Sequence, residues 1–205
     1  MSNNKLIPEL RFPEYINEGE WEIKEVGEIF DVTRGYVLAM SSVQENQSDD
    51  NPYPVFSSQT KNNGLAGFYK EYLYEDAITW TTDGANAGSV FYHQNEQFSI
   101  TNVCGLLQVT NPNVVSTKYV YYALGQEAKK HVSSGMGNPK LMSDAMSRIK
   151  IPVPPIEEQE RIVAILDKLD ALVNDISIGL PAEIAARRQQ YAYYRDRLLK
   201  FEEAA

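Results

Sequence analysis

The chain has 205 residues, 43% hydrophobic and 23% charged, which suits one or two globular domains with a sizeable buried core. Its net charge of −9 excludes a non-specific electrostatic coat for nucleic acid, and its single cysteine excludes a disulfide framework or a cysteine metal site within one chain. No stretch approaches the about 18 apolar residues of a membrane span, and MSNNKLIPEL at the start lacks a signal-peptide core, so a cytoplasmic protein without membrane attachment is expected.

The first predicted element is a helix in WEIKEVGEIFDV (21–32), where Ile23, Val26, Ile29 and Phe30 fall close to helical spacing and Gly35 ends the segment. SSVQENQSDDN (41–51) is polar and reads as a loop. Short β-favouring runs then alternate with glycine turns: YPVFSS, AGFYKEYLY, AITWTTDG, SVFYHQ and VCGLLQVTN. Cys104, in the last of these, is expected to be a buried, inert thiol. TKYVYYALGQEAKKHV (117–132) predicts a helix capped by Ser116, with Val120, Leu124, Ala128 and Val132 on one face. SSGMGNPK (133–140) predicts a flexible loop, SDAMSRI (143–149) a short capped helix, and KIPVPP (150–155) a stiff proline joint.

After Pro155 the pattern changes to a rod. Ile162, Leu169 and Ile176 recur every seven residues, with Leu166, Val173 and Leu180 four beyond each, which is an a/d seam. Ile184, Tyr191 and Leu198 resume the repeat one residue out of phase. Pro181 is expected to cause that slip by pushing Leu180 out of helical geometry, leaving two helices of about 157–178 and 182–200, either collinear or folded back as a hairpin. At 1.5 Å per residue the two would extend roughly 60 Å end to end. Such a seam needs a partner surface, either the chain's own globular domain or a second chain or subunit. The fold class expected is therefore α+β: a globular α/β domain of short strands over residues 1–150, followed by a long helical coiled-coil segment.

Motifs for catalysis are missing. His93 and His131 have no neighbours at metal-ligand spacing, and neither a nucleophile elbow nor a Walker loop is present. GANAG (84–88) lacks the third glycine of a dinucleotide loop and reads as a hairpin turn. NPYPVF (51–56) is only loosely similar to the Asn-Pro-Pro-Tyr loop of adenine methyltransferases, since Tyr53 replaces the second proline. Glu75-Asp76 and Asp49-Asp50 are expected to be solvated loop carboxylates. No catalytic residue, metal or cofactor is expected.

The remaining signal is a surface for recognition. SSQTKNNG (57–64), TTDGANAGS (81–89) and SSGMGNPK (133–140) are rich in side chains that read base edges, with lysines for phosphates. The candidate DNA contacts are Lys61, Asn62, Asn63, Thr81, Thr82, Asn86, Ser89, Ser134, Asn138 and Lys140. Charge supports local rather than general binding. Residues 1–50 carry 4 Lys/Arg against 11 Asp/Glu, a net −7, whereas residues 101–150 carry 6 against 2, a net +4.

IPVPPIEEQERIVAILDKLDAL (151–172) resembles the conserved region of type I restriction-modification specificity subunits, in which a PxPPxxEQ run leads from a target recognition domain into a spacer helix. GLPAEIAARRQQYAYYRDRLL (179–199) is similar to the continuation of that region. LIPELRFPEY, WEIKEVGEIFDVTRG, and the stretch from YPVFSS through GFY to GANAGSVFY resemble signposts of the recognition domain. The resemblance implies a recognition domain over 1–152 and a helical spacer and dimerisation region over 153–205. It further implies a non-catalytic subunit that reads double-stranded DNA and docks DNA methyltransferase subunits, with S-adenosylmethionine bound on those partners only and a restriction subunit as a further partner. Relatives usually hold two recognition domains and two conserved regions, and this sequence holds one of each. Two copies related by a two-fold axis would restore the arrangement, giving a homodimer on a bipartite inverted repeat. The seam residues expected at the dimer interface are Ile162, Leu166, Leu169, Val173, Ile176, Tyr191, Tyr194 and Leu198. The acidic first fifty residues, with Glu20, Glu22 and Glu25, would face away from DNA or meet a basic methyltransferase surface. Two rival classes remain: a coiled-coil adaptor that binds protein only, and an anti-restriction protein that mimics DNA.

Overall fold

Alternating apolar residues in the middle of the chain decide the architecture. The structure, a computed structural model, describes residues 11–17, 19–58, 61–133, 137–174 and 179–198. It divides into two units, residues 1–160 and 161–205. The first unit contains β1 (Glu22–Glu25), α1 (Val26–Ile29), β2 (Phe30–Arg34), β3 (Tyr53–Phe56), β4 (Leu65–Tyr69), β5 (Tyr74–Thr81), β6 (Val90–Ile100), β7 (Cys104–Val109), α2 (Thr117–Glu127), α3 (Ser143–Ser147) and β8 (Lys150–Val153). Six strands form one sheet in the order β2-β7-β5-β6-β3-β4, antiparallel throughout except where β3 runs parallel to β6.

Strand β5 is the axis of this sheet. Ala77 through Thr81 are all buried, because both faces of the strand are covered. On one side Ala77 packs with Phe56, Phe98, Ile100, Cys104 and Leu106. Trp80, fully buried, donates its indole N–H to the Leu141 carbonyl at 2.8 Å. Its ring lies where a side chain on Gly105 would stand, 2.3 Å from an ideal Cβ, so β7 requires glycine there. Strand β6 is longer than SVFYHQ alone predicts and is interrupted by a bulge: Ala77 pairs with His93, but Glu75 pairs with Gln97. Two residues on one strand thus span four on the other, with Asp76 (φ 46°) and Asn95 (φ 53°) absorbing the excess. Asp76 is no solvated loop carboxylate. Its Oδ1 accepts from the Tyr92 hydroxyl at 2.8 Å and from the Asn95 N–H at 3.1 Å.

The helix expected over 21–32 is instead strand, one helical turn, and strand. Residues 22–25 pair antiparallel with Lys150–Val153, and residues 30–34 pair with β7. Between them only Val26 and Ile29 keep helical spacing, both buried, in a turn closed by Glu28 reaching back to the Glu25 N–H at 2.6 Å. Hydrogen-bonding partners more than seventy residues away along the chain overrode the local periodicity. The proline joint accordingly begins as strand β8. AGFYKEYLY is divided between β4 and β5, with residues 70–73 as the connection.

Helix α2 begins where expected but is shorter than the 117–132 helix expected: it ends at Glu127, a 3-10 turn covers Ala128–His131, and Val132, extended and half-buried, leaves the helical face. Ser116 Oγ accepts from the Tyr119 N–H at 3.4 Å, and Val120, Leu124 and Ala128 are fully buried. Helix α3 begins without the side-chain cap expected of it, and the buried Ser143 hydroxyl has no hydrogen-bond partner.

The rod comprises α4 (Ile156–Asn174) and α5 (Gly179–Leu198). Leu180 is helical, contrary to expectation, because Pro181 sits in the first turn of α5, where a missing N–H breaks no bond. The first turn of α4 belongs to the globular unit and carries two buried polar side chains, Glu158 and Gln159. Gln159 Oε1 accepts from the Ser116 N–H at 2.9 Å, while its Nε2 donates to the carbonyls of Pro154 at 2.7 Å and Val114 at 3.0 Å. Glu158 receives the Arg11 guanidinium at 3.3 Å and the Trp21 indole at 3.2 Å. In the second unit Ile162 and Leu166 are half-buried, and Ile165, Leu169, Leu172, Leu180 and Ile184 are exposed. Val173, Tyr191, Tyr194 and Leu198 fall on the two helices, and Ile176 lies outside the described residues.

Candidate nucleic-acid interface

The roots of the three polar loops meet at one end of the sheet. Between β5 and β6 the turn over 82–89 is closed by Thr81 N–H to Ser89 carbonyl and Gly88 N–H to Thr81 carbonyl, both 2.9 Å, as expected of a hairpin turn. Gly84 N–H to Pro139 carbonyl and Leu141 N–H to Thr82 carbonyl, both 3.0 Å, tie this turn to the loop after α2. That loop is itself closed by Ser133 and Lys140, which exchange backbone bonds at 2.9 and 3.2 Å.

The β3–β4 loop joins through the turn over 101–104. Ser57 N–H donates to the Gly64 carbonyl at 2.9 Å, and the Thr101 hydroxyl donates to Ser57 Oγ at 2.9 Å. The Thr101 carbonyl accepts from Cys104 N–H at 3.0 Å, and the Val103 carbonyl accepts from the Thr82 hydroxyl at 2.8 Å. A short run of hydrogen bonds therefore fixes the spacing of all three loops. Loops held this way present side chains from a rigid base.

Of the predicted contacts, Asn62, Asn63, Asn86, Asn138 and Lys140 are exposed, and Ser89 is half-buried. Lys61 opens the turn that holds Asn62 and Asn63, both in the left-handed region at φ 48° and 54°, which asparagine tolerates better than most residues. Thr81 and Thr82 are buried, and the Thr82 hydroxyl is committed to Val103, so these two side chains brace the interface from beneath. Ser134 lies outside the described residues. Lys140 stands 3.7 Å from Asp83, which ties part of its charge to its own loop.

Loop composition did not reveal several neighbours. Tyr36, bridged to Thr101, and Val37, 84% exposed, place apolar surface beside the loops. The run GYVLAM carries that signal as consecutive apolar residues after a glycine, where a strand would alternate. Arg34 donates to the Asn102 carbonyl at 2.8 Å and stiffens the 101–104 turn. Beside Asn62 and Asn63 a cavity of about 400 Å³ reaches down to His93 and Glu96. Burial pushes His93 down to about 4 and raises Glu96, although the His93 Nδ1 lies 3.2 Å from the Glu96 carboxylate. Burial likewise pushes the Cys104 thiol up to about 12, which keeps it protonated, as expected of an inert core cysteine. No cluster of metal ligands occurs among the described residues, and none of the described helices is long and apolar enough to cross a membrane.

Architecture and loop chemistry together describe a mixed α/β domain with three polar loops gathered at one end, followed in the chain by helices. Residues 18–186 match the type I restriction modification DNA specificity domain. A Mycoplasma pneumoniae protein assigned as a type I specificity subunit is 38% identical over 182 residues, covering 88% of this chain and 58% of that relative. The fold is similar to the crystal structure of the type I restriction-modification system S subunit from M. genitalium, with a TM-score of 0.66 at 19% identity, covering 94% of this chain and 49% of the other. A structure from work on complex assembly and conformational transition of the type I R-M system aligns with a TM-score of 0.61 at 20% identity, covering 92% and 47%. The chain belongs to the type I restriction-modification DNA specificity family. It spans about half the length of that M. pneumoniae relative and of these two structures.

Proposed function

We propose that this chain is the sequence-reading component of a type I restriction-modification system and carries no catalysis of its own. The linkage of the three polar loops carries this reading: the β3–β4 loop and the 82–89 turn both bond to the 101–104 turn, and the 133–140 loop bonds to the 82–89 turn, which draws carboxamides, hydroxyls and lysines from distant parts of the sequence toward one end. Such groups serve base-edge and phosphate contacts on double-stranded DNA. Methyltransferase subunits, carrying S-adenosylmethionine and flipping the target adenine, would dock on it, with a restriction subunit joining the assembly in the cytoplasm.

The exposed apolar residues of α4 and α5 fit pairing with a second copy. An isologous pair of rods would hold two identical readers on the halves of an inverted repeat, separated by base pairs that neither reads. Co-expression with a cognate methyltransferase subunit, followed by genome-wide mapping of methylated adenines, tests this directly. A split palindromic motif is expected. A single asymmetric motif would overturn the paired arrangement, and methylation independent of this chain would overturn the DNA-reading role.

A further inference from the structure

The cavity beside the β3–β4 turn has a chemistry of its own. Phe56, Phe68, Phe91, Tyr92 and Tyr121 supply its walls, and the His93 ring lies on Phe56 with centroids 3.9 Å apart. Its rim carries the exposed carboxamides of Gln47, Asn62 and Asn63, and the partly exposed Glu96 carboxyl also lines it. Among the described lining residues none is a lysine or arginine, and aromatic rings predominate. His93 is locked in place by Thr79 Oγ1 at 2.8 Å on one nitrogen and Glu96 at 3.2 Å on the other.

Backbone strain surrounds the same space. Four non-glycine residues among those described have left-handed φ values: Asn62, Asn63, Asp76 and Asn95. The first two line the cavity, and the other two form the bulge that sets His93 and Glu96 into it, held by the bonds of Asp76 to Tyr92 and Asn95. Strained residues gathered at one place mark a shape that the fold maintains for use.

Aromatic walls stack on planar rings, and carboxamides offer a donor and an acceptor side by side, the pairing that base edges accept. We propose that this cavity takes one nucleobase, unstacked from the DNA that lies across the loops. The assignment rests on the DNA-reading role above. Asn62 and Asn63 belong to both surfaces, so a base leaving the duplex beside the β3–β4 loop would meet the cavity mouth.

The chain's two histidines make the test local, since His93 lines the cavity and His131 is exposed outside it. The full chain is titrated with the four nucleosides and with short single-stranded oligonucleotides at neutral pH, and both imidazoles are followed by NMR. Saturable shifts of the His93 signals with still His131 signals are expected, from an oligonucleotide and from at least one nucleoside. Tyr121→Leu removes a wall, and Asn63→Gly removes an amide while keeping the left-handed backbone. Each is expected to weaken binding about ten-fold. Unmoved His93 signals with every probe, or unchanged affinity in both variants, overturn the proposal. A response to nucleosides but not to oligonucleotides makes a free nucleoside the occupant and overturns the DNA source. If the wild-type complex methylates a defined motif while His93 stays unmoved, the cavity assignment fails and the DNA-reading role stands.

Discussion

Replacing Gln159 by leucine probes how the first turn of α4 is anchored within the globular unit. Leucine matches the volume closely but leaves the Ser116 N–H and the carbonyls of Val114 and Pro154 without their side-chain partner. Gln159 is fully buried, and each abandoned buried group costs about 1–3 kcal/mol. The three share one side chain and would relax together, so a loss of about 3–5 kcal/mol is expected rather than their full sum. For a chain of this size that corresponds to a fall in Tm on the order of 10 °C. Glu157, exposed on the neighbouring position of the same turn, is the control, since Glu157→Leu changes helix propensity little and abandons none of these backbone groups. Circular dichroism melting of both variants decides the matter. If Gln159→Leu melts within a degree or two of Glu157→Leu, the side chain does not hold the helix root as described.

The remaining predictions concern the other surfaces. Leu169→Asp sets a carboxylate at an exposed apolar position of α4 and should abolish the proposed dimer while the domain keeps its melting transition; an unchanged sedimentation coefficient refutes the pairing. His93 is held near 4 in the folded protein against about 6.5 unfolded, so its contribution is complete above pH 6.5 and is lost as pH falls toward 4, by about 3 kcal/mol. Urea unfolding at pH 7 and pH 4.5 should show that loss in the wild type and little of it in His93→Asn, since Glu96, raised by burial, gains stability as pH falls. Charge reversal at Glu20, Glu22 and Glu25 should weaken assembly with methyltransferase subunits in pull-down; full assembly would leave these carboxylates without a docking role.

Elements whose burial follows from their own residues were legible in the sequence. The interrupted strand runs and the Val120, Leu124 and Ala128 stripe emerged where periodicity placed them. Elements decided by distant partners were not. WEIKEVGEIFDV carries the spacing of a helix, yet β7 and β8 claim its backbone, and nothing local marks either pairing. Glu158 and Gln159 look like ordinary solvated positions on an amphipathic helix until Arg11, Trp21 and the 114–116 backbone close around them. The same contrast runs through the interface. Composition identified three polar loops but could not reveal that threonines 81 and 82 point inward, because burial at the end of β5 is set by β7 and the 101–104 turn. Nor could it reveal the cavity, whose floor is made by a bulge in β6 and whose rim comes from residues thirty positions earlier. A recognition surface of this kind separates two tasks physically. Threonines beneath the loops, together with Gly105 and Trp80 in the sheet, leave little room for substitution, whereas Asn86 and Asn138 on top are exposed, and Asn62 and Asn63 are limited only by their left-handed backbone. Substitutions among the exposed residues of that upper layer cost the fold little, which is what the proposed sequence-reading role would require.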